Sequence, residues 1–249
     1  MSELERRFGG LRRLYGDAGY ARLRQLRVAV VGLGGVGSWA AEALARSGVA
    51  ALTLIDMDHV AESNINRQVQ ATTDTLGMAK GEALAARIAT IHPGCAVTLV
   101  DDFVTQDNWP ALLPAAVDGL IDACDQSAAK LALAGWARAT ATPAVLCGAA
   151  GGKRQAHLLH VDDLAAASHD PLLAALRQRL RKAGAPRQGA MGLRCVFSRE
   201  PVLRPPQAEG CAVDGSLNCA GYGSSVTVTA AAGLMAAGDI IAQCQAQSR

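Results

Sequence analysis

Residues Arg27–Asp58 read RVAVVGLGGVGSWAAEALARSGVAALTLIDMD, and the fold follows from how this stretch is parsed. Val28–Val31 is a short β-branched apolar run, the composition of a strand buried on both faces. Gly32, Gly34, Gly35 and Gly37 then turn the chain into a helix expected over Ser38–Ser47. Leu52–Ile55 is a second buried strand, and it ends on the acid Asp56. Glycines at such a turn let a phosphate approach the backbone, and the helix behind them offers free N–H groups and partial positive charge. An acid at the tip of the second strand, about 20 residues beyond the loop, accepts hydrogen bonds from ribose hydroxyls. A glycine turn alone would suit a plain βα connection with no ligand. With the acid in place the order predicts a nucleotide site, but not which nucleotide.

The same alternation continues outward. A helix is expected from near Met78 to Ile91, stopped by Pro93. Strands follow at Ala96–Val100, Leu120–Ile121 and Ala144–Cys147, with a helix over Ala128–Thr140. Strands alternating with helices predict an α/β fold: a Rossmann-like, mostly parallel sheet with helices on both faces. Ligands of such sheets lie at the carboxyl ends of the strands, where Asp56 and Asp125 can face one crevice. Residues 4–24 suggest one or two short helices outside the sheet. Beyond Gly152 the pattern changes: Gln155–Val161 alternates like an exposed strand, Pro171–Lys182 is an amphipathic helix, and Arg194–Ser198 is a short strand. Ala183–Gly192 reads as a mobile loop, and Gly210–Gly223 as a loop near the site. The 249 residues are expected to form one domain, with a nucleotide-binding half at 1–150 and a substrate-facing half at 151–249.

Composition excludes several classes. The seven cysteines are widely spaced with no CxxC, which argues against structural zinc or a disulfide framework and for a reducing cytoplasm. The first ten residues, MSELERRFGG, lack the apolar core of a secretory signal. Ser225–Ala242 is apolar, but its uninterrupted part falls short of the ~20 residues that span a bilayer. It is expected to pack on the sheet, with peripheral membrane association left open. The net charge of +2 decides nothing; charge placement does. Arg177, Arg179, Arg181, Lys182, Arg187, Arg194, Arg199 and Arg204 face only one acid, Glu200, across their span. That stretch suits a polyanion such as a nucleic-acid backbone, though a solvated helix face would look the same.

The charges near the glycine loop favour a triphosphate over a dinucleotide. Arg67 and Lys80 are cations, Asn64 and Gln68 are polar clamps, and Asp125 is an acid at a second strand end. Lys80 sits in the first turn of its helix, where it opposes the helix dipole, so a nearby anion explains it better than helix stability. Cations neutralise charge on phosphates and a carboxylate holds Mg²⁺, so ATP is expected rather than NAD.

Together, Gly32-Leu33-Gly34-Gly35-Val36-Gly37, Asp56-Met57-Asp58, Ser63-Asn64-Ile65-Asn66-Arg67-Gln68 and Lys80 resemble the ubiquitin-activating-type (ThiF/MoeB) adenylating superfamily over roughly residues 6–150. The resemblance implies that the sheet is extended by antiparallel strands and that the protein is a homodimer. It places Gly35 and its neighbours against the nucleotide, Asp56 on the ribose, and Ser63, Asn64, Asn66, Arg67 and Gln68 along the phosphates. Arg67 and Lys80 would stabilise leaving pyrophosphate, Asp125 would hold Mg²⁺, and Arg13 would reach into the partner subunit's site. Gln126 stands where relatives often carry Asn.

Arg7-Phe8-Gly9-Gly10 with Arg13-Leu14-Tyr15-Gly16, Asp101-Asp102-Phe103-Val104-Thr105 and Cys195-Val196-Phe197-Ser198 are similar to the tRNA threonylcarbamoyladenosine dehydratase branch. That branch adenylates the threonyl carboxylate of a modified tRNA adenosine with MgATP and closes a ring with net loss of water. Gly152-Lys153-Arg154-Gln155 is more basic than the branch pattern. The implied partner is tRNA, with a sulfur-transfer protein as a further candidate. The alternatives are an adenylyltransferase for a ubiquitin-like sulfur carrier, and an NAD(P)-binding dehydrogenase or scaffold. Cys195 reads first as a packing residue and second as a transient nucleophile.

Overall fold

The computed structural model describes residues 3–203 and 222–246. In chain order the elements are α1 (Glu3–Leu23), β1 (Arg27–Val31), α2 (Gly37–Arg46), β2 (Ala51–Ile55), α3 (Lys80–Ile91), β3 (Ala96–Val100), β4 (Gly119–Asp122), α4 (Ser127–Thr140), β5 (Ala144–Cys147), β6 (Leu159–Asp163), α5 (Pro171–Lys182), β7 (Arg194–Ser198) and α6 (Val226–Ala246). The strands form one seven-stranded sheet in the order β3-β2-β1-β4-β5-β7-β6. All neighbours are parallel except β6 and β7, which pair antiparallel with Leu159 opposite Ser198. Strands from both sides of residue 150 thus share one sheet.

The β-branched run at β1 is buried because both its faces are covered. Val28 and Val30 point into a core with Leu44 of α2, Leu84 and Ile88 of α3, and Val228, Ala236 and Ile240 of α6. Ala29 and Val31 point the other way, into a core with Leu133 of α4, Leu173 and Leu176 of α5, and Phe197 of β7. Two-residue periodicity sends alternate side chains to opposite faces, so an unbroken apolar run needs helices on both. β3 lies at the sheet edge, and its residues are correspondingly more exposed.

Among the described residues α6 is the one helix long and apolar enough to cross a membrane, and it is packed on the sheet instead. Its small residues explain why. A Cβ added at Gly233 would lie 2.4 Å from the Val36 carbonyl oxygen, so only glycine allows α6 to approach α2 this closely.

The segment at 4–24 is, as expected, helical, with a kink at Gly16 (φ 70, ψ 173) that divides it in two. Two other expectations change. Gln155–Val161 is not extended throughout: Glu200 Oε2 accepts from the N–H groups of Arg154 (2.8 Å) and Gln155 (2.9 Å), a 3₁₀ turn follows, and the strand begins only at Leu159. Ala183–Gly192 is anchored, with Ala185 and Met191 buried and Asp163 accepting from the N–H groups of Met191 and Gly192. The loop expected at Gly210–Gly223 lies outside the described residues except for Tyr222 and Gly223.

Candidate functional site

Strand order reverses beside β1: the chain builds β2 and β3 on one side, then crosses to β4 and β5 on the other. Such a switch point opens a crevice at the carboxyl ends of the strands. A cleft opens there, and Gly32, Gly34, Gly35, Asp56 and Asp58 form one part of its wall. Arg67, Gln68, Lys80 and Asp125 also line it, so residues spread over about a hundred positions converge on one space.

The glycine loop has separate demands at each position. Gly32 has φ +83, and a Cβ there would sit 2.9 Å from the Cys124 backbone nitrogen. At Gly37 a Cβ would sit 1.8 Å from the Gly32 carbonyl oxygen. Gly37 is buried and is not among the residues lining the cleft; it closes the turn. Gly34 has open space in front of it, and α2 begins without any side-chain cap. The Ser38 N–H in its first turn already donates to the Gly34 carbonyl at 3.1 Å, and what this uncapped end offers an anion is its partial positive charge beside the open space at Gly34.

Asp56 Oδ2 accepts from the Leu33 N–H at 2.6 Å and Oδ1 from the Asp58 N–H at 2.8 Å. Burial pushes its pKa above the ordinary carboxylate value, partly offset by Lys80 and these two N–H groups. The acid thus braces the glycine loop from behind. Lys80, the first residue of α3, has its Nζ 2.6 Å from Asp58 Oδ2. The anion its position called for is, in this state, the protein's own carboxylate. Arg67 packs over the loop, its Cγ 3.3 Å from where a Gly35 Cβ would stand, and donates to the Ser63 carbonyl and Asn66 Oδ1. Burial lowers its pKa from the ordinary guanidinium value.

Ser63, Asn64 and Asn66 do not line the cleft themselves. Asn64 is buried, and its Oδ1 accepts from the Ala61 N–H to shape the 3₁₀ turn Glu62–Asn64. Asn66 donates to the Ser224 carbonyl, just before α6. Two of them hold Arg67 in place, the Ser63 carbonyl and Asn66 Oδ1 both accepting from its guanidinium, while Asn64 shapes the turn before it. Asp125 lines the cleft and has no hydrogen bond or ion pair among the described residues. Arg13 lies exposed on α1, away from the cleft of its own chain. Its neighbour Arg12 is held by Glu5 and Asp17.

Cys195 is fully buried, and burial raises its pKa well above the ordinary thiol value; it is a packing residue. The basic stretch also divides. Arg194 is paired with Asp239 at 3.0 Å, and Arg177 donates to the Leu164 and Ala167 carbonyls. Arg179, Lys182, Arg187 and Arg199 remain exposed, and Arg204 lies outside the described residues.

Some cleft residues escape a reading of the sequence. Phe103, Leu172 and the pair Ser224 and Thr229 around the start of α6 reach it from three separate segments. Gln70, nearly fully buried, donates to the Leu33 carbonyl at 2.9 Å and fixes the loop from below. Asp122 and Lys130 form an ion pair with no exposure at all. Burial opposes the Lys130 charge, but Asp122 outweighs it and holds the ammonium pKa above its ordinary value. The one available signal was a lysine on the apolar stripe of α4.

The family model for ThiF matches residues 7–246. The tRNA threonylcarbamoyladenosine dehydratase of Escherichia coli is 42% identical over 254 aligned positions, covering 97% of this chain and 94% of the relative. Its namesake from Haemophilus influenzae is 40% identical over 242, covering 95% and 92%. A crystal structure of the E. coli dehydratase in complex with ATP matches with a TM-score of 0.88 at 41% identity, over 98% of this chain and 96% of that one.

Proposed function

The chain belongs to the ThiF family, and on that premise we propose that it is an ATP-dependent tRNA threonylcarbamoyladenosine dehydratase. The observation that carries this reading is the meeting of the glycine loop, Arg67, Lys80 and Asp125 in one cleft. A dinucleotide's diphosphate would not call for that set; a triphosphate and a metal do.

Asp56 accepts from the ribose hydroxyls, and Gly34 and Gly35 leave room for the phosphates to reach the N-terminal end of α2. The threonyl carboxylate oxygen attacks the α-phosphorus, and the bond from that phosphorus to the bridging oxygen breaks. Pyrophosphate leaves with the electron pair. Arg67 and Lys80 stabilise the charge gathering on it, a role worth about 10²–10³-fold for each well-placed group in comparable sites. Lys80 exchanges Asp58 for phosphate oxygen on binding. The carbamoyl group of the same nucleoside then attacks the activated carbonyl and expels AMP, closing the ring with net loss of water. With both groups in one molecule this step is effectively unimolecular, and no enzyme thiol is needed.

Mg²⁺ fits the residues present. Among the described residues Asp125 is a carboxylate without a hydrogen-bond or ion-pair partner, and no cluster of three metal-binding side chains occurs. Mg²⁺ is typically held in this way, by one or two carboxylates together with substrate phosphates. When bound it neutralises phosphate charge. The exposed Arg179, Lys182, Arg187 and Arg199 receive the tRNA backbone, and the enzyme works in the cytoplasm with its substrate. The working unit is a homodimer in which the partner subunit's Arg13 completes each cleft.

The decisive experiment incubates the protein with MgATP and threonylcarbamoylated tRNA, then weighs the nucleoside beside the anticodon. Loss of one water with release of AMP and pyrophosphate is expected; ADP as the nucleotide product would refute the reading. Mixing Arg13→Ala with Lys80→Ala chains tests the dimer. Activity should partly return in verified mixed dimers, and no recovery would remove Arg13 from the partner's site.

A further inference from the structure

The Asp122–Lys130 pair lies under the cleft without touching it. Asp122 is the last residue of β4, and Lys130 projects from the inward stripe of α4 between Ala129 and Leu133. Both side chains are fully buried. Lys130 Nζ donates to Asp122 Oδ2 at 2.8 Å and to the Cys147 carbonyl oxygen at 3.0 Å. The other carboxylate oxygen, Asp122 Oδ1, accepts from the Cys124 N–H at 3.2 Å and its Sγ at 2.9 Å.

One ammonium therefore ties the end of β4 to the end of β5. The segments leaving those two strand ends are Ala123–Gln126 and Gly148–Gly151, and both line the cleft. Stability alone is a poor reason for such a pair. Desolvating two charges cancels much of their attraction, and apolar replacements of similar volume are often neutral or better. The carboxylate also shapes the turn that presents Asp125, since it holds the Cys124 N–H directly before that residue.

We propose that Asp122 and Lys130 are positioning residues that aim Asp125 at the metal of the bound nucleotide and lock the two cleft-lining loops to each other. The inference rests on the reading of Asp125 as the carboxylate that holds Mg²⁺.

The test measures ATP affinity by calorimetry across a series of MgCl₂ concentrations, using the full chain. The double variant Asp122→Asn with Lys130→Met is neutral, keeps an acceptor for the Cys124 N–H and removes the tie between the strands. Its half-saturating Mg²⁺ should rise at least about tenfold, as for lost outer partners of metal-binding side chains. Circular dichroism and a cooperative melt verify that it folds. Asp122→Glu, which keeps both charges and moves the carboxylate by one methylene, gives a second measurement and should also raise the requirement. A folded variant of either kind with an unchanged Mg²⁺ requirement overturns the proposal. Asp125→Asn separates the two failures. If it also leaves the requirement unchanged, the metal-site reading falls; if it raises it while the other variants do not, only the positioning role falls.

Discussion

Replacing Asp170 should cost stability in two separable parts. The residue is 4% exposed and caps α5, its Oδ1 accepting from the Leu173 N–H at 3.0 Å. Its Oδ2 accepts from the Ala149 N–H at 2.8 Å, on the loop after β5 that lines the cleft. The approach is so close that a Cβ on Gly148 would meet this oxygen at 2.1 Å. In Asp170→Ala the lost cap costs about 1 kcal/mol. The stranded Ala149 N–H adds about 1–2 kcal/mol, the lower part of the usual range because Ala149 is only half-buried. The sum, about 2–3 kcal/mol, corresponds to a drop of about 4–12 °C in Tm for a chain of this size. Asp170→Asn keeps a good cap but turns an amide N–H toward that of Ala149, so it should show only the loop share. Guanidinium unfolding at unchanged m-value supplies the free energies, and calorimetry with ATP reports the cleft. An alanine variant within about 0.5 kcal/mol of wild type would refute the reasoning, as would an asparagine variant as damaged as the alanine one.

Arg67→Ala and Lys80→Ala should each lower pyrophosphate release by about 10²–10³-fold with the fold intact; loss of the circular dichroism spectrum would mark them as structural residues instead. His92 predicts an acid limit to stability. It is fully buried, packs at a tilt against the Phe8 ring and takes a hydrogen bond at Nε2 from Arg24, so burial, then Arg24 and Arg7, lower its pKa below the ordinary 6.5. Its contribution is present above pH 6.5 and is lost as pH falls through the depressed folded value, with a slope approaching ~1.4 kcal/mol per pH unit. His92→Gln should flatten that slope in unfolding measured between pH 4 and 7, and an identical slope would exclude His92 as its source. Reversing Arg179, Lys182 and Arg187 to Glu should raise the KM for tRNA, leave ATP affinity unchanged and flatten the salt dependence by about 0.7–0.9 log units per lost phosphate contact; unaltered tRNA kinetics would place the tRNA elsewhere. Gly233→Ala should destabilise the protein by about 1–3 kcal/mol by forcing α6 off α2, and an unchanged Tm would show that the helices part without cost.

Local chemistry makes the front of the molecule readable from its sequence. A β-branched run, a glycine turn and an acid can be satisfied in few ways, so β1, α2, β2 and the place of Asp56 follow from short-range rules. Lys80 was legible because a cation in a first helical turn is out of place by itself. The ends of Gln155–Val161 were not, because a distant carboxylate, Glu200, takes the N–H groups that an extended strand would have used. Tertiary structure alone also divided the basic stretch, spending Arg194 on Asp239 and leaving Arg179 exposed. It separated Gly37, Ser63, Asn64 and Asn66, which shape the loop, from Gly34, Arg67 and Lys80, which face the space. The reason is common to all of these. Backbone preference and side-chain period act over a few residues, whereas the partner of a buried charge is chosen by whatever the fold brings beside it, from Asp122 under Lys130 to Asp170 beneath Ala149.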